Sequence, residues 1–348
     1  MNSLPPVKVK FKDLLSRKET IVVIVFFMAV LSVLYYIYFT PNYFEGKSPQ
    51  NFEINYGDNL SEITEKLFTQ GIIKSKFNFR VASFIMGADR KIKAARYKIP
   101  NGLSYVGLID FFLNADADFL IQIKINNGQT IKWLASKLKR EAKIDSTEFV
   151  LKANDRNIIK SFNIDAGSLE GYLFASRYYI FQRSKPEDIL KIFVQRTFKF
   201  FSDTLLRKVE EKGFTIHKVL TLASIVKGET DLVEEMPIIS QVYLNRLKIG
   251  MRLQADPTIQ YILPEGWRKL YYKDLKINSP YNTYLYSGLP PGPINSPGKD
   301  AILSVIYPKK HKYLFFVADG NGKHKFAETH IQHLKNVKEY RKWIEKNQ

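Results

Sequence analysis

Residues 54–67 read INYGDNLSEITEKL, and the same design returns as IPNGLSYVGLIDFF at 99–112 and INNGQTIKWLASKL at 125–138. In each copy an Ile (Ile54, Ile99, Ile125) stands three residues before a Gly (Gly57, Gly102, Gly128). Apolar or aromatic residues stand three, six and ten after it: Leu60, Ile63, Leu67; Tyr105, Leu108, Phe112; Ile131, Leu134, Leu138. An apolar strand end, a tight turn that glycine enters at little steric cost, and apolar positions at three- and four-residue spacing describe a strand followed by an amphipathic helix. Ser61, Ser104 and Thr130 lie near the expected helix starts, and Gly71 is placed to stop the first helix. Three such units, laying their helices on one face of a shared sheet, predict an α+β fold with a repeat subdomain over residues 51–142.

Before the repeats, residues 21–39 (IVVIVFFMAVLSVLYYIYF) carry no charge. A helix of that length spans roughly the 30 Å hydrocarbon core of a bilayer. Lys8, Lys10, Lys12, Arg17 and Lys18 precede it against Asp13 and Glu19, whereas Pro41, Asn42, Tyr43, Phe44 and Glu45 follow it. The positive-inside bias predicts a cytoplasmic tail at 1–20, a single span at 21–39 and an exported body. The run is long for the apolar core of a cleaved signal peptide, and no small-x-small site follows it, so an uncleaved anchor is expected. Residues 40–50 (TPNYFEGKSPQ) read as a short linker that keeps the body close to the membrane.

Composition narrows the chemistry. The 348 residues include 53 Lys+Arg against 34 Asp+Glu, a net charge of +19, and no Cys. A disulfide framework, a Cys-ligated metal and a thiol nucleophile are therefore excluded. The charge predicts an anionic neighbour. With the body exported, that neighbour is anionic lipid or acidic wall polymer, and no nucleic acid partner is expected.

From Ile144 the periodicity turns helical, with helices expected at 147–163 and 185–212 and an aromatic loop or strand at 167–182. Residues 217–230 (HKVLTLASIVKGET) then place Glu229 seven, four and three positions after Leu222, Ile225 and Val226. A helix turns about 100° per residue, so Glu229 shares the buried stripe and its carboxylate leaves an apolar face. Burial raises a carboxyl's pKa, which is what a general acid needs near neutral pH. Lys227 points away from Glu229 and is not expected to pair with it. A second helix over 235–249 turns Ile239, Val242, Tyr243 and Leu247 inward and ends in Arg246, Lys248 and Gly250. Gln254, Asp256 and Thr258 follow in a short turn.

Residues 278–298 (NSPYNTYLYSGLPPGPINSPG) form a long loop whose Tyr281, Asn282, Thr283 and Tyr284 offer ring faces beside amide and hydroxyl groups, a surface that suits sugars. A helix at 299–307, strands at 313–318 and 324–328 about an Asp-Gly-Asn-Gly turn, and a terminal helix capped at Thr329 close the chain. His330 and His333 are three apart, but no further ligands accompany them, so no metal site is expected.

Five segments together resemble one family: residues 222–230 (LASIVKGET), 245–258 (NRLKIGMRLQADPT), 281–284 (YNTY), 288–294 (GLPPGPI) and 316–320 (FVADG). Their order and spacing are similar to those of the endolytic murein transglycosylases, the YceG-like family, and the anchor and the LysM-like repeat agree. The resemblance covers nearly the whole chain. It implies a catalytic domain over 143–348, no cofactor, and cleavage of peptidoglycan glycan strands between N-acetylmuramic acid and N-acetylglucosamine to leave 1,6-anhydro ends. It also implies that Glu229 is the catalytic acid/base and that Gln254, Asp256, Tyr281, Asn282 and Thr283 lie in the substrate cleft. Penicillin-binding proteins or other peptidoglycan synthases are the implied partners. The chain departs from the family pattern at Lys227, where a Glu is usual, and at Ala175, Ser176, Arg177 and Tyr178, where Pro-Asp-Thr-Tyr is usual. The alternative from another class is a non-catalytic glycan-binding scaffold of the wall-synthesis machinery.

Overall fold

The computed structural model describes residues 16–264 and 266–347. Lys8, Lys10 and Lys12 of the expected tail lie outside the described residues. Helix α1 (Arg17–Phe39) opens at a capping box: Glu19 N donates to Ser16 Oγ at 3.3 Å, and Ser16 N donates to Glu19 Oε2 at 2.7 Å. It is long and apolar enough to cross a membrane, a test that an N-terminal signal sequence also passes.

The chain divides into two compact units between Leu120 and Ile121. Besides α1, the first holds β1 (Gln50–Ile54), α2 (Leu60–Thr69), α3 (Lys76–Ile85), β2 (Ala95–Ile99), α4 (Tyr105–Asn114) and the start of β3 (Asp118–Lys124). Strands β1 and β2 are antiparallel with Phe52 opposite Tyr97, and β3 begins by setting Phe119 opposite Ala95. Alternation along β1 and β2 buries Phe52, Ile54, Tyr97 and Ile99 against Leu67, Phe79, Leu108 and Phe112. The repeat pattern thus lands where expected, with glycine taking positive φ at Gly57 (+92°) and Gly102 (+84°). The cap of α2 is Asn59 rather than Ser61, because Asn59 and Glu62 exchange a reciprocal pair of hydrogen bonds. Helix α3 lies outside the repeat pattern and carries no signal of it.

The second unit contains the rest of β3, α5 (Ile131–Ala142), α6 (Ser146–Ala153), α7 (Arg156–Ser161), β4 (Arg177–Phe181), α8 (Pro186–Phe200) and α9 (Asp203–Glu211). It continues with α10 (Ile216–Glu229), α11 (Met236–Lys248), α12 (Asp256–Ile262), α13 (Gly298–Ile306), β5 (Phe315–Ala318), β6 (His324–Ala327) and α14 (His330–Asn347). The division falls at 120 rather than at 142. Helix α5, from the third repeat copy, buries Leu134, Ala135 and Leu138 in the same core as Phe149 and Phe193. Mixed α+β architecture holds throughout.

Two expected helices are broken. The Asp155 carboxylate accepts from Asn157 N at 2.8 Å and Ile158 N at 3.3 Å, starting α7 afresh after α6. At Phe201 the backbone leaves the helical region (ψ 82°) as that side chain enters the core, separating α8 from α9. Helix α10 differs from the one-sided stripe expected of it, since every residue from Val219 to Val226 is buried. A helix apolar on all sides sits inside the fold, and α10 is packed by α11, α12 and α13.

Candidate active site

Glu229 ends α10, and its C-cap Thr230 is already extended. The carboxylate therefore emerges from the fully buried helix at the rim of the core. There it lines a cavity of about 430 Å³ with Arg246, Gln254, Asp256, Tyr284, Phe316 and His324, among others. Burial pushes the Glu229 carboxyl up to about 7. The hydrogen bond from the Tyr243 hydroxyl to Glu229 Oε1, at 2.5 Å, pulls it down; the Asp256 charge raises it further, and the Arg246 charge opposes that. With Oε1 engaged by Tyr243, Oε2 is the oxygen placed to carry a proton toward the cavity. Lys227 pairs with Asp231 and not with Glu229, as its place on the helix requires.

Helix α11 supplies the support. Tyr243 and Arg246 are one turn apart on its buried side. Burial takes the Tyr243 phenol well above its usual pKa, so it remains a donor. Arg246 Nε donates to Leu314 O at 2.7 Å, and its Nη1 donates to Leu253 O. The guanidinium also lies 5.7 Å from the centroid of the Phe315 ring. One side chain thus ties the approach to Gln254 to the approach to β5. The cavity's far wall is the β5–β6 hairpin. It is fixed to the start of α11 by Glu235, whose carboxylate bonds His324 Nδ1 at 2.7 Å and accepts from His324 N at 2.9 Å. The His333 imidazole, stacked on Phe315 at 5.3 Å, is shifted below its usual pKa by burial and by the His330 and Arg246 charges.

The six residues expected at the site separate into two groups. Glu229, Gln254 and Asp256 line one cavity. Gln254 holds a left-handed conformation (φ +48°) that a non-glycine residue adopts only under constraint. That constraint is Gln254 N donating to Thr283 O at 3.1 Å. Asp256, first residue of α12, accepts from the Tyr284 hydroxyl at 2.5 Å. Tyr281, Asn282 and Thr283 do not line this cavity. Asn282 is fully buried; its amide donates to Leu275 O and Ile277 O, and its oxygen accepts from Tyr284 N. Thr283 Oγ1 accepts from Ala255 N at 2.9 Å and bonds Thr258 Oγ1 at 2.9 Å. The Tyr281 ring packs on Tyr261 at 5.1 Å. Asn282 and Thr283 brace the Gln254–Asp256 turn from behind, and of the four residues 281–284 only Tyr284 lines the cavity.

The loop is held along its length. Ile294 N donates to Ser224 Oγ at 3.0 Å, Asn295 Nδ2 donates to Ser224 O at 2.9 Å, and His217 Nε2 lies 2.7 Å from Pro291 O. Its stiffness thus serves the wall of the site. Gly228 has an equally local cause: a Cβ there would sit 2.5 Å from Pro257 Cβ, so α12 can approach the last turn of α10 only over a glycine. Tyr243 and Arg246 went unrecognised as site residues. Arg246 continues the apolar stripe Ile239, Val242, Tyr243, and a cation on that stripe is the signal that could have marked it. Glu170 is another buried carboxyl with a raised pKa, pushed up to about 8 by burial, but it accepts from Ile131 N at 3.1 and 3.2 Å and so caps the start of α5.

The YceG-like family model matches residues 52–339. An endolytic murein transglycosylase from Bacillus subtilis (strain 168) is 30% identical over 311 residues, covering 85% of this chain and 86% of the relative. One of the same description from Streptococcus pneumoniae (strain D39) is 28% identical over 316 residues, 82% of this chain and 57% of the longer relative. The crystal structure of a yceG-like protein from Listeria monocytogenes superposes with a TM-score of 0.58 at 27% identity, covering 82% of this chain and 98% of that one. The chain belongs to the YceG-like family.

Proposed function

We propose that the protein is a membrane-anchored lytic transglycosylase that cuts peptidoglycan glycan strands internally, with Glu229 as its acid/base. The observation that carries this reading is the cavity-facing Glu229 carboxyl, raised by burial to about 7 and held by Tyr243. Protonated Glu229 donates its proton to the glycosidic oxygen as the bond from C1 of N-acetylmuramic acid breaks. The 6-hydroxyl of the same sugar attacks C1 and returns its proton to the Glu229 carboxylate. The product carries a 1,6-anhydro end, no water is consumed, and the enzyme regains its starting protonation. One titrating carboxyl suffices because the nucleophile is internal and preset by the substrate, whereas hydrolysis calls for a second group to activate water or form a covalent intermediate. Asp256, bonded by Tyr284, is assigned to orienting sugar hydroxyls and Gln254 to the same task, while Thr283 and Asn282 position both.

The remaining assignments rest on the sequence. Helix α1 acts as an uncleaved anchor with its N-terminus cytoplasmic. The repeat region, whose strand–helix economy is LysM-like, gives the chain a glycan-binding surface, and residues 143–348 carry the catalytic fold. Anchoring keeps the enzyme where new strands leave the synthases, so penicillin-binding proteins are its expected neighbours. The test is mass analysis of products from uncrosslinked glycan strands. Wild type should release 1,6-anhydro-ended fragments and Glu229→Gln none. Products with reducing ends would replace this mechanism with hydrolysis, and equal release by both proteins would leave the chain a scaffold.

A further inference from the structure

Helix α3 has two apolar stripes, and the core uses only one. Phe79, Ala82 and Ser83 are buried among the side chains of the first unit. Phe77, Phe84 and Ile85 are 72%, 80% and 72% exposed, and with half-buried Val81 they fall at i, i+7, i+8 and i+4, which is one face of a helix. Three large apolar side chains so open to water on a ten-residue helix call for a partner.

The surroundings identify it. Val81 and Ile85 share an apolar groove of about 810 Å³ with Leu31, Leu34, Tyr35 and Phe39 of α1. At 1.5 Å per residue, the stretch from Leu31 to Phe39 is the last ~12 Å of α1. When α1 spans a bilayer, that stretch lies in the leaflet on the side of the body, and whatever packs beside it lies at the same depth. Interfacial helices seat their apolar face ~5–10 Å into the headgroup and acyl boundary, which matches this depth. Lys74 precedes α3, and Arg90 and Lys91 follow it, all exposed, where lipid phosphates would meet them. Tyr35, Tyr36 and Tyr38 of α1 supply the aromatic belt of the same interface.

We propose that α3 is a second membrane contact, lying in the outer leaflet of the bilayer that α1 crosses, with Phe77, Val81, Phe84 and Ile85 against lipid acyl chains. This rests on the reading of α1 as an uncleaved anchor. The partner is phospholipid, and the consequence is a first unit fixed in tilt and height, not swinging on a tether.

The absence of native Cys allows clean labelling. Full-length protein carrying one environment-sensitive NBD label at Leu34→Cys, Phe84→Cys, Ile85→Cys or Lys139→Cys is reconstituted into vesicles of phosphatidylethanolamine and phosphatidylglycerol, with or without brominated acyl chains. Positions 84 and 85 should be quenched as strongly as position 34, at least about two-fold more than the aqueous control at 139. Quenching at 34 without quenching at 84 and 85 overturns the proposal while leaving the anchor intact. No quenching at 34 removes the anchor reading, and the proposal with it. Labels at 84 and 85 shielded from aqueous iodide yet insensitive to brominated lipid would mean that protein covers the face, which also overturns it.

Discussion

Replacing Glu229 with Gln should stabilise the fold at neutral pH and leave it unchanged in acid. The side chain keeps its shape, and Tyr243 can still donate to the amide oxygen, so the perturbation removes only the ionisable group. Burial raises the folded-state pKa from 4.5 to about 7. The native state therefore holds a proton that the unfolded chain releases between those values, and the stability of wild type must fall as pH rises through that window. At about 1.4 kcal/mol per pH unit the full penalty is ~3 kcal/mol. Solvent screening at the open mouth of the cavity brings a realistic value nearer ~2 kcal/mol.

The assay is urea denaturation of both full-length proteins in the same detergent, followed by tryptophan fluorescence across pH 4 to 8, with free energies from linear extrapolation. Helix α1 and the capping Glu170 are common to both proteins and cancel in the difference. The variant should match wild type below about pH 4.5 and gain ~2 kcal/mol by pH 8, most of it above pH 5. A difference that stays flat across the range, or a variant less stable at pH 8, would refute the argument that burial sets this carboxyl.

Tyr243→Phe removes the hydrogen bond that holds the Glu229 pKa down, so the descending limb of the pH–rate profile should move to higher pH, with kcat reduced about ten-fold. A limb that stays in place means Tyr243 acts only in packing. Thr283→Val keeps the side-chain volume but leaves Ala255 N without its acceptor, so a loss of ~1–3 kcal/mol in stability and a weaker KM for glycan are expected, with Thr283→Ser restoring both. Gly228→Ala should gain up to ~1 kcal/mol of helix propensity but lose ~1–3 kcal/mol to the collision with Pro257, so its Tm should fall and its activity with it. A higher Tm would show that α12 can retreat at no cost.

The parts of this fold that were legible in the sequence are those that local rules govern. Strands β1 and β2 and helices α2, α4 and α5 follow from the spacing around Gly57, Gly102 and Gly128, because each stripe needs only its own residues to be seen. Helix α3 was invisible to the same logic, since Phe77, Phe84 and Ile85 blur its inward stripe. The breaks at Asp155 and Phe201 depend on a side-chain oxygen competing with the backbone and on a ring finding a core, neither of which periodicity records. At the site, Glu229 was readable because its burial follows from helix geometry. Tyr281, Asn282 and Thr283 were placed by motif, and motif position does not distinguish a residue that faces the cavity from one that braces it from behind. Residues Tyr243, Arg246 and His324 reach Glu229's surroundings through long-range packing of α11 and the β5–β6 hairpin.

The wall formed by that hairpin bears on when the enzyme can act. Glu229 leaves the ribosome well before Phe316, His324 and His333. Until residues 315–333 are in place, the Glu229 cavity lacks the wall that Phe316, His324 and His333 supply. Completion of the cavity therefore waits on β5, β6 and α14. A chain cut before β5 would carry Glu229 on an open face, without the hairpin wall that closes its cavity.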